Sequence, residues 1–345
     1  MKCLPVLLTA LGLALFAGPA PAAFINGQNY VALADWAHAN GFNGFTRDGG
    51  REIILTNRMG RMVFGANSAQ AEINGVNVRL SYPVSVQKNV PAISTLDIET
   101  TLRPLIYPPK PAGKKIRTIC LDPGHGGRDT GNRVGGLFFG HNEKTYTLEL
   151  AFELASQLKK LGFNVIFTRK TDTYVDLPVR PAIANQRGAD LFVSLHFNAT
   201  QAGKNEVSGP ETYCITPVGA ASSNAQGEGA DHGATANNRV EQRSLLLAYQ
   251  VQKSLVRNLV VEDRSVRRAR FWVLRDATMP AILIEGGYMT HPIEGKHIFD
   301  AAYRQKMAAA IVKGILAYQK ASAPLPVTKP APVIANRAAG NRKIR

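Results

Sequence analysis

The stretch RTICLDPGHGG at residues 117–127 runs from a short apolar segment into a loop that places one histidine, His125, among three glycines. An apolar run of this length favours a buried strand, and the glycines allow a tight turn with close backbone approach. Downstream, EKTYTLELAFELASQLKKLG at residues 143–162 places four leucines on one helical face before a glycine that ends the helix. The sequence therefore predicts a strand, a glycine-rich loop and a long helix in succession.

The same alternation continues along the chain. Further strands are predicted at residues 164–169, 190–196, 211–217, 271–275 and 281–286, and further helices at Val179–Arg187, Val240–Leu259 and Tyr303–Tyr318. Strands that alternate with helices build an α/β fold. We therefore expect residues 118–321 to form one α/β domain, with a mostly parallel twisted sheet and helices on both of its faces.

Residues 24–107 have a different pattern and predict a small α+β accessory domain that precedes the α/β domain. A helical pattern around Trp36 ends near Gly41, and INGVNVRL at residues 73–80 alternates apolar and polar residues behind an Asn-Gly turn. This region resembles the N-terminal-like domain of copper amine oxidases, a resemblance that implies no copper here. It contains no His/Cys/Asp cluster, so we assign it no chemistry.

Two basic segments flank the α/β domain. Residues 108–117, PPKPAGKKIR, predict a Pro-rich linker, and residues 322–345 predict a disordered tail that lacks an amphipathic period. Together they carry nine Lys and Arg residues. We expect these charges to attract anionic wall or membrane polymers, although solvated segments that aid solubility are an equally simple interpretation.

The start of the chain predicts export. Lys2 precedes an apolar run from Leu4 to Ala17, and small residues follow up to Ala22. This is the pattern of a signal peptide over residues 1–22, with an uncleaved anchor as the alternative. We therefore expect an exported protein of the periplasm, the cell wall or the extracellular space.

Two cysteines remain after such cleavage, Cys120 and Cys214, and both lie in apolar strand-like runs. We expect buried free thiols. An oxidising compartment leaves a disulfide between them as the alternative.

Composition excludes several classes of protein. The 345 residues include 41 Lys and Arg against 25 Asp and Glu, a net charge of +16, and 45% are hydrophobic, which excludes disorder throughout. No interior run reaches the roughly 18 apolar residues that span a bilayer, so we expect no transmembrane span in the mature chain. Aromatic residues are not interleaved with the basic ones, so we expect no nucleic-acid partner.

Chemistry-bearing residues follow the predicted strands where ligands of open α/β sheets bind, at the carboxyl ends. His125 follows the first strand, His196 ends the strand at 190–196, Glu285 ends the strand at 281–286, and Glu143 begins the first long helix. Two imidazoles and a carboxylate are a typical catalytic zinc set, and a further carboxylate can serve as the general base. Topology alone does not decide which carboxylate binds the metal.

Two nearby residues leave alternatives open. His141 lies beside the same helix start as Glu143 and competes with it as a ligand. Asp122 is predicted either to hydrogen-bond a ligand imidazole or to cap the amides of the glycine loop.

Five separated motifs carry a family resemblance: LDPGHGGRDTG, HNEK, DLFVSLHFNA, SGPETYCI and AILIEGGYMTHPIEG. In this order they resemble the catalytic domain of zinc-dependent N-acetylmuramoyl-L-alanine amidases over about 200 residues. The resemblance implies that His125, Glu143 and His196 bind Zn²⁺ and that Glu285 is the catalytic glutamate. It also implies a peptidoglycan substrate, cut at the amide between N-acetylmuramic acid and L-alanine of the stem peptide.

Other functions fit the sequence less well. A His-Glu-x-x-His motif and a Gly-x-Ser-x-Gly motif are both missing from the sequence, which argues against a zincin protease and a serine hydrolase. A non-catalytic peptidoglycan-binding protein on the same fold remains an alternative, as does an enzyme of this fold that acts on another amide.

Overall fold

The computed structural model describes residues 23–109, 115–135, 140–201, 203, 205–223 and 233–322. The predicted signal peptide at residues 1–22 lies outside the described residues. So do residues 110–114 of the predicted linker and residues 323–345 of the predicted tail.

The N-terminal region is built mainly of short strands. Its strands are β1 Ala23–Ile25, β2 Gln28–Ala32, β3 Asn43–Arg47, β4 Glu52–Asn57, β5 Gly60–Gly65, β6 Gln70–Ile73, β7 Val76–Arg79, β8 Ser85–Gln87 and β9 Val90–Ser94. Its helices are α1 Leu33–Ala39, α2 Thr95–Asp97 and α3 Arg103–Ile106, with a π-helical turn at Ile98–Leu102 between the last two and a 3-10 turn at Asp48–Gly50. The predicted Asn-Gly hairpin is confirmed, because Asn74 and Gly75 join β6 to β7 with φ values of 50° and 76°.

The second region alternates strands and helices. Its strands are β10 Thr118–Pro123, β11 Arg133–Val134, β12 His141–Asn142, β13 Asn164–Phe167, β14 Leu191–Asn198, β15 Glu211–Cys214, β16 Val266–Arg268 and β17 Ala281–Tyr288. Its helices are α4 Glu143–Lys160, α5 Val179–Gln186, α6 Glu241–Leu259, α7 Trp272–Arg275, α8 Glu294–Phe299 and α9 Ala301–Ala321, with a 3-10 turn at Ala236–Val240.

One predicted element is wrong. The run FWVLR at residues 271–275 forms helix α7 instead of a strand, and the strand of this part of the chain is the earlier β16. Val273 and Leu274 are both buried although they are adjacent, an arrangement that a helical turn in a corner of the core allows. A short apolar run cannot be assigned to strand or helix by its periodicity alone.

The α/β region confirms the predicted sheet. Its strands lie in the order β13-β10-β14-β17-β15-β16, and every neighbouring pair is parallel except β15 and β17. Helices α4, α6 and α9 pack on one face, and α5 and α7 pack on the other. Within the described parts of the chain, no helix combines the length and apolarity that a membrane crossing requires.

Both cysteines are buried free thiols, as predicted. Cys214 points into the core under α4, α6 and α9, whereas Cys120 points into the core on the opposite face. Their strands are also separated by β14 and β17. The sheet itself therefore keeps the two sulfur atoms apart, which excludes the alternative of a disulfide between them.

The large sheet continues into the N-terminal region. Strand β7 pairs in parallel with β16 through Val78 and Val266, and β6, β5, β4 and β3 follow, which gives eleven strands in one sheet. The hydroxyl of Tyr249 on α6 donates to the Ile73 carbonyl at 2.9 Å, and the buried Arg268 guanidinium donates to the Thr100 carbonyl at 2.7 Å. The two regions thus share a core as well as a sheet.

A shared core predicts that the two regions unfold together. Val78 is fully buried, and Val78→Ala should lower the free energy of unfolding by about 2 kcal/mol through lost burial and a residual cavity. Urea unfolding can be followed by circular dichroism and by Trp36 fluorescence in a Trp272→Phe background. Val90, which is 52% exposed, supplies the control Val90→Ala, for which we expect almost no change. Two separate transitions, of which only one responds to Val78→Ala, would contradict the shared core.

Candidate metal centre

Three side chains from three different elements meet at the carboxyl end of the parallel strands. His125 comes from the loop after β10, Glu143 is the first residue of α4, and His196 lies near the end of β14. Glu143 Oε1 lies 3.0 Å from His125 Nε2 and 3.0 Å from His196 Nδ1, and the two nitrogens are 3.2 Å apart. The structure therefore brings together the three residues that the sequence predicts as metal ligands.

This donor set fits a small divalent cation. Imidazole nitrogens and a carboxylate oxygen are ligands that zinc accepts, and bonds of about 2.0–2.1 Å to a tetrahedral ion place neighbouring ligand atoms about 3.3 Å apart. The three atoms here are spaced almost in that way, and all candidate ligand atoms of the cluster lie within 4.8 Å of one another. Three protein ligands also leave a fourth position for water or substrate.

Glycines allow the ligands to approach so closely. A Cβ atom on Gly124 would lie 2.3 Å from the His196 ring, and one on Gly131 would lie 2.6 Å from the His125 ring. His125 itself has φ at +62°, in the left-handed region that side chains other than glycine rarely adopt. Because these positions are glycines, the backbone of the loop after β10 can lie directly against both imidazole rings.

Glu143 is fixed by more than its two histidines. Its side chain is 1% exposed, and it accepts hydrogen bonds from the Phe197 and Asn132 amides at 3.0 and 2.9 Å. Burial raises the pKa of Glu143, but hydrogen bonds from His125 and His196 outweigh burial and hold the pKa below its usual range. The carboxylate is therefore ionised, as a metal ligand must be.

Asp129 orients the ring of His125. Its Oδ2 lies 2.9 Å from His125 Nδ1, which directs Nε2 of the same ring toward Glu143. Burial lowers the pKa of His125, and hydrogen bonds to Glu143 and Asp129 raise it above its ordinary value. A carboxylate behind a ligand imidazole is the usual partner that fixes its tautomer. Sequence analysis did not identify Asp129, although its spacing of four residues from His125 places it within reach.

Both predicted roles of Asp122 are wrong. The buried Asp122 carboxylate pairs with Arg180 Nη1 at 2.8 Å and accepts hydrogen bonds from Thr168 and Ser194 at 2.6 and 2.7 Å. Burial raises its pKa, but Arg180 and the two hydroxyls lower it more, so the pKa stays below the ordinary value. Asp122 therefore neither contacts a candidate ligand imidazole nor caps the loop amides, because its carboxylate is paired with Arg180 of α5.

Arg180 and Arg169 hold the histidine loop through its carbonyl groups. Arg180 donates to the carbonyls of Pro123 and His125, both at 2.9 Å, and Arg169 donates to those of Pro123 and Gly124 at 2.9 and 2.7 Å. Neither arginine was identified from the sequence. The one available indication is that Arg180 lies in the first turn of a short helix whose buried face is otherwise apolar.

His141 lies apart from the cluster. Its ring stacks on Phe299 with centroids 3.7 Å apart, and its Nδ1 is hydrogen-bonded to the Tyr146 hydroxyl. The alternative that His141 replaces Glu143 is therefore not supported by the geometry.

Glu285 lies next to the cluster on β17, directly opposite His196 on the neighbouring strand. Its Oε2 atom is buried and has no hydrogen-bond partner within the described parts of the chain. Burial raises the pKa of Glu285, and the nearby charges of Glu143 and Glu211 raise it further. A buried carboxyl oxygen without a partner, beside a candidate metal centre, makes Glu285 a candidate functional residue.

Glu211, on the other side of Glu285, was missed by sequence analysis. It pairs with Glu285 across β15 and β17, and its buried carboxylate accepts hydrogen bonds from the hydroxyls of Tyr213 and Tyr288 at 2.7 and 2.8 Å. Arg264 and Arg267 approach the same carboxylate with Nε atoms at 3.0 and 3.3 Å. A glutamate that opens the apolar run ETYCI is the only sequence indication of this network.

Known proteins share this region of the chain. The family model described as N-acetylmuramoyl-L-alanine amidase matches residues 119–317. The N-acetylmuramoyl-L-alanine amidase AmiA of Escherichia coli is 32% identical over 234 residues, which cover 61% of this chain and 79% of that protein. The germination-specific N-acetylmuramoyl-L-alanine amidase of Bacillus subtilis is 32% identical over 217 residues, covering 59% and 79% of the two chains.

A solved structure agrees with these relatives. The crystal structure of N-acetylmuramoyl-L-alanine amidase from Clostridium difficile 630 superposes with a TM-score of 0.50 at 35% identity, covering 60% of this chain and 98% of that one. The fold is therefore that of an amidase catalytic domain, and all three residues of the candidate metal centre fall inside the matched region. The family model covers more than half of the chain, which therefore belongs to the N-acetylmuramoyl-L-alanine amidase family and is an amidase.

Proposed function

We propose that this amidase is an exported zinc-dependent hydrolase that cleaves the amide between N-acetylmuramic acid and L-alanine in peptidoglycan stem peptides. The observation that carries the proposal is the convergence of His125, Glu143 and His196 beside the unsatisfied carboxyl of Glu285. Membership of the family supplies the substrate class.

His125, Glu143 and His196 are the residues that would hold the zinc ion. When bound, the ion supplies Lewis-acid chemistry, which polarises a carbonyl group and makes water more acidic. The protein contributes a fixed donor set, because Asp129 orients His125, and two backbone amides orient Glu143. It also contributes shielding from water, since the Glu143 carboxylate is fully enclosed.

Glu285 is proposed to move the proton. Its carboxylate accepts a proton from the attacking water as the oxygen adds to the amide carbon. It then delivers that proton to the nitrogen of L-alanine as the C–N bond breaks, which leaves a lactyl carboxylic acid and a free amine. Burial and the neighbouring carboxylates raise the pKa of Glu285, which makes its carboxylate a stronger base than an ordinary glutamate. A non-catalytic binding protein would have no use for a buried carboxyl oxygen held without a partner.

Export belongs to the same proposal. Peptidoglycan lies outside the cytoplasmic membrane, and two relatives, from Staphylococcus saprophyticus and Staphylococcus epidermidis, carry the name "Probable cell wall amidase". We also propose that the basic linker and tail attract the anionic polymers that accompany the wall.

The reaction can be tested by its products. Purified sacculi digested with the zinc-loaded protein should release stem peptides that begin with a free L-alanine amine, which mass spectrometry identifies. Release of sugars with new reducing ends, or of peptides cut elsewhere, would indicate another bond. If the protein leaves sacculi undigested but hydrolyses a different amide, the substrate of this enzyme is not peptidoglycan.

Metal content provides an independent test. The purified full-length protein should contain about one zinc per chain, and His196→Ala should lose it because one of three ligands is removed. His38, which is exposed on α1, supplies the control His38→Ala, for which the zinc content should be unchanged. Activity that survives strong chelators, without stoichiometric zinc, would refute the proposed centre.

Glu285→Gln separates the base from the ligands. The variant should keep its zinc, because Glu285 is not a ligand, and should lose about 10²–10⁴-fold in kcat with the base removed. Glu72→Gln, on the surface of the N-terminal strands, makes the same chemical change at a distance and should leave kcat unaltered. If Glu285→Gln loses the metal instead, the roles assigned to Glu285 and Glu143 are exchanged.

A further inference from the structure

Two arginines stand beside the candidate site and have no part in the chemistry described above. Arg264 and Arg267 each direct the Nε atom toward Glu211, which is the cross-strand neighbour of Glu285. Each arginine side chain nevertheless remains 23% exposed. A guanidinium has five N–H donors, so an arginine whose Nε–H is already used still presents donors at its outer end.

Two guanidinium groups meet at Glu211. Glu211 is one carboxylate shared by two guanidinium groups. The neighbouring Asp263 carboxylate accepts hydrogen bonds from the Asn77 amide and from Gln252 at 2.7 and 2.8 Å. The outer ends of the two guanidinium groups therefore lie partly exposed beside the cross-strand neighbour of Glu285.

The N-terminal region holds this arginine pair in place. Asn77 on β7 contacts Asp263 twice, through its amide at 2.7 Å and through its Nδ2, which donates to the Asp263 carbonyl at 3.0 Å. Arg264 is the next residue, and its Cζ lies 5.3 Å from the ring centroid of Tyr288. Arg267 also donates from Nε to the Arg264 carbonyl at 3.2 Å. The two guanidinium groups are thus fixed to the rigid sheet, an arrangement that suits recognition of a planar anion.

We propose that Arg264 and Arg267 bind a carboxylate of the stem peptide. The enzyme would then prefer peptides in which the second residue, directly after L-alanine, carries a free carboxylate. The inference rests on the proposed function, because it identifies which part of that substrate lies on the Glu211 side of Glu285. The leaving group is the peptide amine, so in this proposal the peptide extends past Glu285 toward Glu211 and its next carboxylate meets the two arginines. Glu211 then has two functions: it orients the arginines and keeps one of their charges compensated.

A purely structural role is the competing explanation. If the arginines only neutralise Glu211, their removal should impair every substrate equally or destabilise the fold. If they bind a carboxylate, their removal should impair only those substrates that carry it. Two substrates that differ in this one group therefore separate the explanations.

The test compares an N-acetylmuramoyl peptide whose second residue carries a free carboxylate with the same peptide bearing a carboxamide there. The wild-type enzyme should show a lower KM for the carboxylate, and Arg264→Gln and Arg267→Gln should each raise that KM about ten- to hundred-fold, as expected for loss of a charge-assisted hydrogen bond. The KM for the carboxamide and the kcat for both substrates should change little. Arg257→Gln, at an exposed position of α6 on the opposite face of the sheet, is the matched control and should behave as wild type.

Binding is measured alongside turnover by calorimetric titration of both peptides, and thermal unfolding reports on the fold. An equal loss on both substrates, or a lowered Tm that accounts for the loss, would overturn carboxylate recognition. A wild-type enzyme that binds both peptides with the same affinity would overturn it too. If the wild type discriminates in binding but cleaves neither peptide, the proposed reaction fails while the carboxylate site stands.

Discussion

The buried pair of Asp122 and Arg180 is the interaction on which the candidate site depends. An ion pair taken out of water is costly, and it is stable only when the remaining donors and acceptors are satisfied. Here two hydroxyls complete the carboxylate, and three carbonyls complete the guanidinium. Because two of those carbonyls belong to Pro123 and His125, the pair fixes a loop whose histidine has an unfavourable φ. Removal of either partner would leave a buried charge and release the loop that carries His125, the first residue of the candidate metal centre.

Crowded carboxylates are the second constraint. Glu143, Glu285 and Glu211 lie on neighbouring elements within a buried region, and like charges so close together oppose ionisation. The three carboxylates differ in their positively charged partners. Glu143 is compensated by two histidines and by the cation they would bind together, Glu211 is compensated by two arginines, and Glu285 is compensated by nothing within the described residues. The one carboxyl of the three that has no compensating partner is therefore Glu285, the residue that we propose as the proton carrier.

Sequence patterns predicted most of the α/β region because the strands are buried runs between amphipathic helices, and such patterns depend on few long-range contacts. They failed at FWVLR, where Val273 and Leu274 are buried by a helical turn, and at β16, where two of three residues are arginines. His125, Glu143, His196 and Glu285 could be identified because each follows a strand end or begins a helix at the same edge. The partners of Asp122 and Glu211 could not, since they are chosen by contacts between segments that are 58 and about 50 residues apart.

The eleven-stranded sheet shows a limit of a different kind. Strand β16 would be an exposed edge in a domain formed by residues 118–321 alone, and exposed edges invite pairing with other chains. Here β7 covers it, and apolar residues on β7 complete the core beneath α6. The sequence pattern marks residues 24–107 as distinct from the α/β region. The pairing of β7 with β16, however, joins Val78 to Val266, which are nearly 190 residues apart, and no local sequence pattern predicts it. The same pairing brings Asn77 to Asp263, so the region to which the sequence assigned no chemistry fixes the loop that carries Arg264. A region that only tethered the enzyme would not need to reach the edge of its candidate site.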